Sequence, residues 1–353
     1  MKSKFMTVCL FGMTMFLFAC TDNSVTKTQE PEHSPVVKEE EPVRIGFSMD
    51  TLLEERWLKD RELFKEAVEN LGAEVEIVAA NGDDALQISQ AETLIQSGID
   101  LLVIVPHNAA ATAAIVHKAH LAGIQVIAYD RLVKNAEVDM YISFDNEQVG
   151  KMQAEAMTAL VPKGNYVFIG GAITDNNAHL LKKGVFKVLQ PFIESGDIHV
   201  VYDQWTKDWT PANAQANMEQ AIRNSNGQID AVIAANDATA GGAIQALQNH
   251  GLISQIPVAG QDADLAGVQR IVVGTQTMTV YKPIQILSNK VAEIAVSMAK
   301  GEIVTADQQI NNGKKEVPSV LLPPIAVDLA NLESTVIKDG FHAAEDIYGT
   351  VTK

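Results

Sequence analysis

Apolar residues along this chain gather into short unbroken runs, and between the runs they recur at helical spacing. The runs are "VRIGFSMD" from Val43, "AEVEIVAAN" from Ala73, "IDLLVIVPH" from Ile99, "IQVIAYDR" from Ile124 and "YISFD" from Tyr141. A second series follows: "NYVFIGG" from Asn165, "IHVVYDQW" from Ile198, "IDAVIAAND" from Ile229 and "IPVAGQD" from Ile256. Between the first two runs Leu63, Phe64, Ala67, Val68 and Leu71 mark one face of a helix that Gly72 closes. Strands that are apolar at nearly every position are buried on both faces, which means parallel sheets covered by helices. The two series, meeting near residue 146, predict an α/β protein of two doubly wound lobes. A single barrel is the alternative. Against it, the long helix over 282–302 is followed by "VPSVLLPPIAV", which has no strand–helix rhythm and reads as chain returning between lobes.

Ligands of doubly wound sheets collect beyond the carboxyl ends of the strands, where loops converge and helix N-termini point. Those ends are polar here: Asp130 and Arg131, Asn236 and Asp237, Gln261 and Asp262, with Trp209 after the strand that ends at Trp205.

The 353 residues carry a formal charge of −17 and no basic run, which argues against nucleic acid and anionic lipid as partners. Glycine-rich phosphate loops, a G-x-S-x-G elbow and an H-E-x-x-H helix are missing from the sequence, and the 8 histidines are scattered. The expectation is no enzyme, no metal and no cofactor. A glycoside hydrolase built on two of Asp130, Asp237 and Asp262 is the enzymatic alternative, but nothing in the sequence raises the pKa of one of them.

The first residues, "MKSKFMTVCLFGMTMFLFAC", have a Lys2/Lys4 start and an apolar run too short for a bilayer. Residues 1–19 read as an export signal, and "LFAC" resembles a lipobox that would leave Cys20 lipidated. An ordinary secretory signal cut nearby is the alternative. Cys9 would leave with the signal, so no disulfide within the mature chain is expected, and stability must come from a large core. Residues 20–42, rich in acids and prolines, read as a disordered tether that holds the folded part off the membrane.

The segments "ERWLKDR", "IAYDR", "YISFDNEQVG", "DNNAHL", "AANDATAGGAIQAL", "GQDADLAG" and "GTQTMTVYKP" occur in order. Together they resemble the periplasmic sugar-binding family of bacterial ATP-driven importers, the type that includes ribose- and galactose-binding proteins. The likeness runs from about residue 43 to Phe341. It implies the type I periplasmic binding protein fold, with a three-segment hinge near 144–147, 275–279 and 303–312. One lobe would comprise 43–145 plus 277–303, the other 146–276 plus 304–345. It also implies a monomer that captures a monosaccharide, D-xylose or a related aldose, and delivers it to the membrane subunits of an ABC permease. A role in presenting loaded protein to a membrane sensor kinase is the other function such a protein would have.

Carried over motif by motif, the resemblance implies that Arg56, Trp57, Asp130 and Arg131 meet the sugar from the first lobe. Asn177, Trp209, Asn236 and Asp262 would meet it from the second, with Lys282 near a crossover. Trp57 and Trp209 would clamp the ring, and Asp130 and Arg131 would offset each other's burial while gripping hydroxyls. Charge-assisted hydrogen bonds of about 1.5–3 kcal/mol each, with stacking, supply the roughly 8 kcal/mol that micromolar binding requires. Each residue has a plainer alternative. Arg56 and Lys282 would be solvated helix residues, Asn177 and Asn236 helix caps, Asp262 a turn former, Asp130 and Arg131 a loop ion pair. Trp57 would be a helix staple and Trp209 a rim aromatic.

Overall fold

The computed structural model describes residues 41–349. The signal segment, Cys20 and the tether up to residue 40 lie outside the described residues. Among the described residues no helix is long and apolar enough to cross a membrane.

The first lobe opens with β1 (Arg44–Met49), α1 (Glu55–Asn70), β2 (Glu74–Ala79), α2 (Asp84–Gln96), β3 (Leu101–Ile104), α3 (Ala113–Leu121), β4 (Gln125–Tyr129) and β5 (Met140–Phe144). The chain then crosses into the second lobe: α4 (Asn146–Leu160), β6 (Gly164–Ile169), α5 (Asn176–Glu194), β7 (Ile198–Gln204), α6 (Pro211–Asn224), β8 (Ala231–Ala234), α7 (Asp237–Asn249), β9 (Val258–Ala259), α8 (Leu265–Val272) and β10 (Thr279–Tyr281). It returns through α9 (Ile284–Ala299), β11 (Gln308–Asn311) and β12 (Glu316–Leu322), and ends with β13 (Ile325–Val327) and α10 (Ala344–Tyr348).

The first sheet runs β11-β12-β5-β4-β3-β1-β2 and the second β7-β6-β8-β9, each with parallel central strands, as apolar runs require. In the first lobe β1 sends Ile45, Phe47 and Met49 to one core with Phe64 of α1 and Leu287 and Val291 of α9. The rings of Phe47, Phe64 and Tyr129 meet there at 4.7, 5.4 and 6.0 Å between centroids. Alternate positions of the central strands, Leu102, Ile104 and Val126, face the other core with Leu94 and Val116. α1 stops at Gly72, whose φ of 73° suits the left-handed turn that ends a helix.

Strand pairing moves two boundaries. Residues 308–322, expected in the second lobe, lie in the first: β12 runs parallel to β5, with Ser319 opposite Tyr141, and β11 pairs with β12. The third crossing is therefore 322–325 rather than 303–312. β10 belongs with the second lobe through the Ala259–Met278 bridge and its pairing with β13, so the second crossing follows Tyr281 rather than lying at 275–279. The rhythm hid this because β11 and β12 form a hairpin with Pro318 inside it, not a strand–helix unit. The chain first leaves the opening sheet at 144–146, where Asp145 caps α4 by accepting from Gln148 N at 2.9 Å.

Candidate functional site

The carboxyl ends of β1, β4, β6, β8 and β9 point into one cleft between the lobes. All of the expected residues line a single cavity there: Arg56, Trp57, Asp130 and Arg131 from the first lobe, Asn177, Trp209, Asn236 and Asp262 from the second, and Lys282 beside the second crossing. Two lining residues, Glu54 and Asp175, were not singled out, and Gln261 was named only as a polar strand end beside Asp262. The free space between these side chains is only about 30 Å³, so a sugar entering here must displace some of the direct contacts across the cleft.

Arg56 is 4% exposed, not the solvated helix residue of the alternative reading. Its guanidinium donates to Asp60 one helical turn on (3.0 Å), to Asp130 (3.1 Å) and across the cleft to Asp262 (3.4 Å). Asp60 is fully buried and accepts a short hydrogen bond from Tyr129, whose hydroxyl lies 2.9 Å from Ser288 on α9. This network behind Arg56 fixes a side chain that otherwise has many rotamers.

Asp130 and Arg131 form no ion pair with each other, although the charge of Arg131 still helps to hold the Asp130 carboxyl down. Consecutive residues at a strand end project to opposite sides, so Asp130 turns to Arg56 while Arg131 meets Asp50 at 2.6 Å and Asp175 at 2.8 Å. Burial pushes the Asp130 carboxyl up, but Arg56, Lys282 and Arg131 outweigh it and hold it below its ordinary value. Asp175, buried in the second lobe, has its carboxyl pushed up by burial despite Arg131. Asp50 also lies 2.9 Å from His107 Nδ1, and that contact raises the imidazole pKa.

Several polar contacts exist only because the lobes are closed. Asn177 Nδ2 donates to the backbone oxygen and to Oδ1 of Asp130 at 3.1 and 3.0 Å, while Arg131–Asp175 and Arg56–Asp262 span the same cleft. Asn177 is thus an interlobe clasp, and the cap of α5 is Asp175, which accepts from Asn177 N at 2.8 Å. Asn236 does cap α7: its Oδ1 accepts from Thr239 N, leaving the amino group to face the cavity. Lys282 is buried and donates to Asp262 at 2.9 Å.

The aromatic residues sit differently. The ring of Trp57 lies against two guanidinium groups, with Arg56 at 4.2 Å and Arg131 at 5.0 Å from its centroid. Trp209 comes from a single turn after β7 and packs on Gly171, where a β-carbon would lie 2.2 Å from the indole. Only glycine allows that approach. Asp130, Trp209 and Asp262, all on the cavity wall, have positive φ, at 58°, 57° and 91°, a conformation most costly for the bulky Trp209.

Buried polar atoms normally find a partner. Glu54 Oε2, Asn177 Oδ1, Gln261 Oε1 and Trp209 Nε1 have none, and all belong to residues that line the cavity. The closed site therefore presents three acceptors and a donor with hydrogen-bonding capacity unused, between fixed charges of both signs. Such a wall suits a small neutral molecule dense in hydroxyls, which donate and accept alike. Among the described residues no cluster of His, Cys, Asp and Glu could hold a metal ion.

The family model described as periplasmic binding protein domain matches residues 45–303. The D-xylose-binding periplasmic protein of Haemophilus influenzae is 53% identical over 306 residues, 87% of this chain and 92% of that protein. Its namesake in Escherichia coli is 52% identical, over 86% of this chain and 92% of that protein. Among solved structures, an ABC transporter solute-binding protein from Clostridium phytofermentans with bound β-D-glucose superposes with a TM-score of 0.81 at 30% identity, covering 86% of this chain and 99% of that one. A carbohydrate transporter solute-binding protein from Chloroflexus aurantiacus, in complex with D-glucose, gives 0.81 at 32% identity over 87% and 98%. With its two-lobed fold and interlobe cavity, the chain belongs to the periplasmic binding protein family, as a solute-binding protein and not an enzyme.

Proposed function

We propose that the chain captures D-xylose outside the cytoplasm by closing its lobes on the sugar and hands it to an ABC permease. The observation that carries this is the set of buried, partnerless polar atoms around the interlobe cavity. The choice of xylose is supported by the two relatives above that carry its name. In this reading pentose hydroxyls satisfy Glu54, Asn177 and Gln261, Trp209 lies against the sugar, and the ring settles among Arg56, Asp130 and Asp262. The long Arg56–Asp262 contact of 3.4 Å is the polar pair most readily exchanged for sugar hydroxyls. Contacts to both lobes exist only in the closed form, so the ligand stabilises that form by their difference.

Titration of D-xylose into sugar-free protein by calorimetry should give one site with a dissociation constant of about 1 μM or below, and chromatography should recover the sugar unchanged. Absence of heat with xylose, or a chemically altered sugar, contradicts the reading. The same reading holds the chain to the membrane through a lipid on Cys20. That part rests on the "LFAC" segment alone and fails if Cys20→Ser leaves the chain in the membrane fraction.

A further inference from the structure

The sugar cavity has a larger neighbour. Beside it an open pocket of about 520 Å³ is lined by Leu53, Pro211, Ala238 and Ala266 among others, and the residues it shares with the cavity are Glu54 and Trp209. These two side chains therefore form the partition. Trp209 is held by its contact with Gly171. Glu54 is held differently. It stands at the N-cap position of α1, with φ −82° and ψ 144°, yet its carboxylate makes no capping bond. Its backbone oxygen accepts from Trp57 N at 3.1 Å, which ties its place to the cavity wall, and its Oε2 is buried with no partner. A carboxylate that neither caps its helix nor forms an ion pair, at a position where capping residues are short and polar, asks for another role.

We infer that Glu54 is a specificity-determining wall: it closes the pentose cavity off from the adjoining pocket and so excludes pyranoses that carry one more substituent. This rests on the sugar-capture reading above. Removal of the side chain joins the small cavity to the pocket and gives a hydroxymethyl or O-methyl group somewhere to go. Its exchange for glutamine keeps the bulk and an acceptor oxygen while removing the charge.

The test is titration of D-xylose, D-glucose and methyl β-D-xylopyranoside into the intact sugar-free protein and into Glu54→Gln and Glu54→Ala. Wild type and Glu54→Gln should prefer xylose by similar ratios. In Glu54→Ala the ratio against at least one larger ligand should narrow by about tenfold or more, the scale on which a pocket discriminates one added carbon. Ratios in Glu54→Ala equal to wild type, or an equal narrowing in Glu54→Gln, would each overturn the inference; a common fall in affinity for all three ligands follows from the acceptor lost to the sugar, and the ratios decide. Failure of wild type to bind xylose overturns the capture reading and this inference with it. Xylose binding with unchanged ratios overturns this inference alone.

Discussion

Replacing Arg131 by alanine should weaken pentose binding by roughly a hundredfold, about 3 kcal/mol. The guanidinium joins Asp50 in the first lobe to Asp175 in the second, at 2.6 and 2.8 Å, so half of its work is done only when the lobes are shut. Without it Asp175 is buried with no cation in contact, and its carboxyl, already pushed up by burial, has lost the charge that opposed that shift. Asp50 keeps His107 and suffers less. The penalty therefore falls on closure more than on folding. Calorimetry should show the loss in affinity while the melting temperature of the sugar-free protein changes little. Arg131→Lys should recover only part of the binding, because an ammonium cannot reproduce a fork that addresses two carboxylates. Wild-type affinity in Arg131→Ala would remove the residue from the site.

The second large effect is on stability. Gly184→Ala in α5 should lower the melting temperature by roughly 5 °C or more, at about 2–4 °C per kcal/mol for a unit of this size. Helix propensity predicts the opposite, since alanine is favoured over glycine by up to about 1 kcal/mol in a helix interior. Packing decides. A β-carbon on Gly184 would lie 2.0 Å from the backbone oxygen of Glu147, and one on Gly150 would lie 2.0 Å from that of Leu181, so α4 and α5 cross with glycine against backbone in both directions. Neither carbonyl can turn aside without breaking its helix, and overpacking of this kind costs about 1–3 kcal/mol or more. A melting temperature at or above wild type would show that the crossing opens freely.

Much of this architecture could be read from the chain because buried parallel strands write themselves as unbroken apolar runs, and the polar residues that follow each run mark where ligands collect. That is why Asp130, Arg131, Asn236 and Asp262 could be named as strand-end candidates, and the structure places them in the lining of one cavity with Arg56, Trp57, Asn177, Trp209 and Lys282. What the runs could not convey was who pairs with whom. Asp130 and Arg131 are neighbours in sequence, yet their partners lie 74 residues away at Arg56 and 81 away at Asp50, and partner choice depends on which side of the strand end each side chain leaves. Glu54 and Asp175 were passed over although the first adjoins and the second opens a quoted segment, because a carboxylate before a helix carries no signal of burial; Gln261 was named as a strand end but given no role. Asp60 and Tyr129, which hold Arg56 from behind, look in sequence like an ordinary helix acid and a core aromatic. The hinge was misplaced for a related reason: β11 and β12 return to the first sheet as a hairpin, a connection with none of the strand–helix rhythm that revealed the rest.

The central claim is that the polar atoms left without partners in the closed cleft are there for a sugar. A crystal structure of the protein with D-xylose bound tests it most directly. The expected result is one pyranose between the lobes, with Glu54 Oε2, Asn177 Oδ1 and Gln261 Oε1 each within about 3 Å of a hydroxyl and the Trp209 side chain in contact with the sugar. A xylose found outside the cleft, or one in the cleft that leaves those atoms without partners, would contradict it.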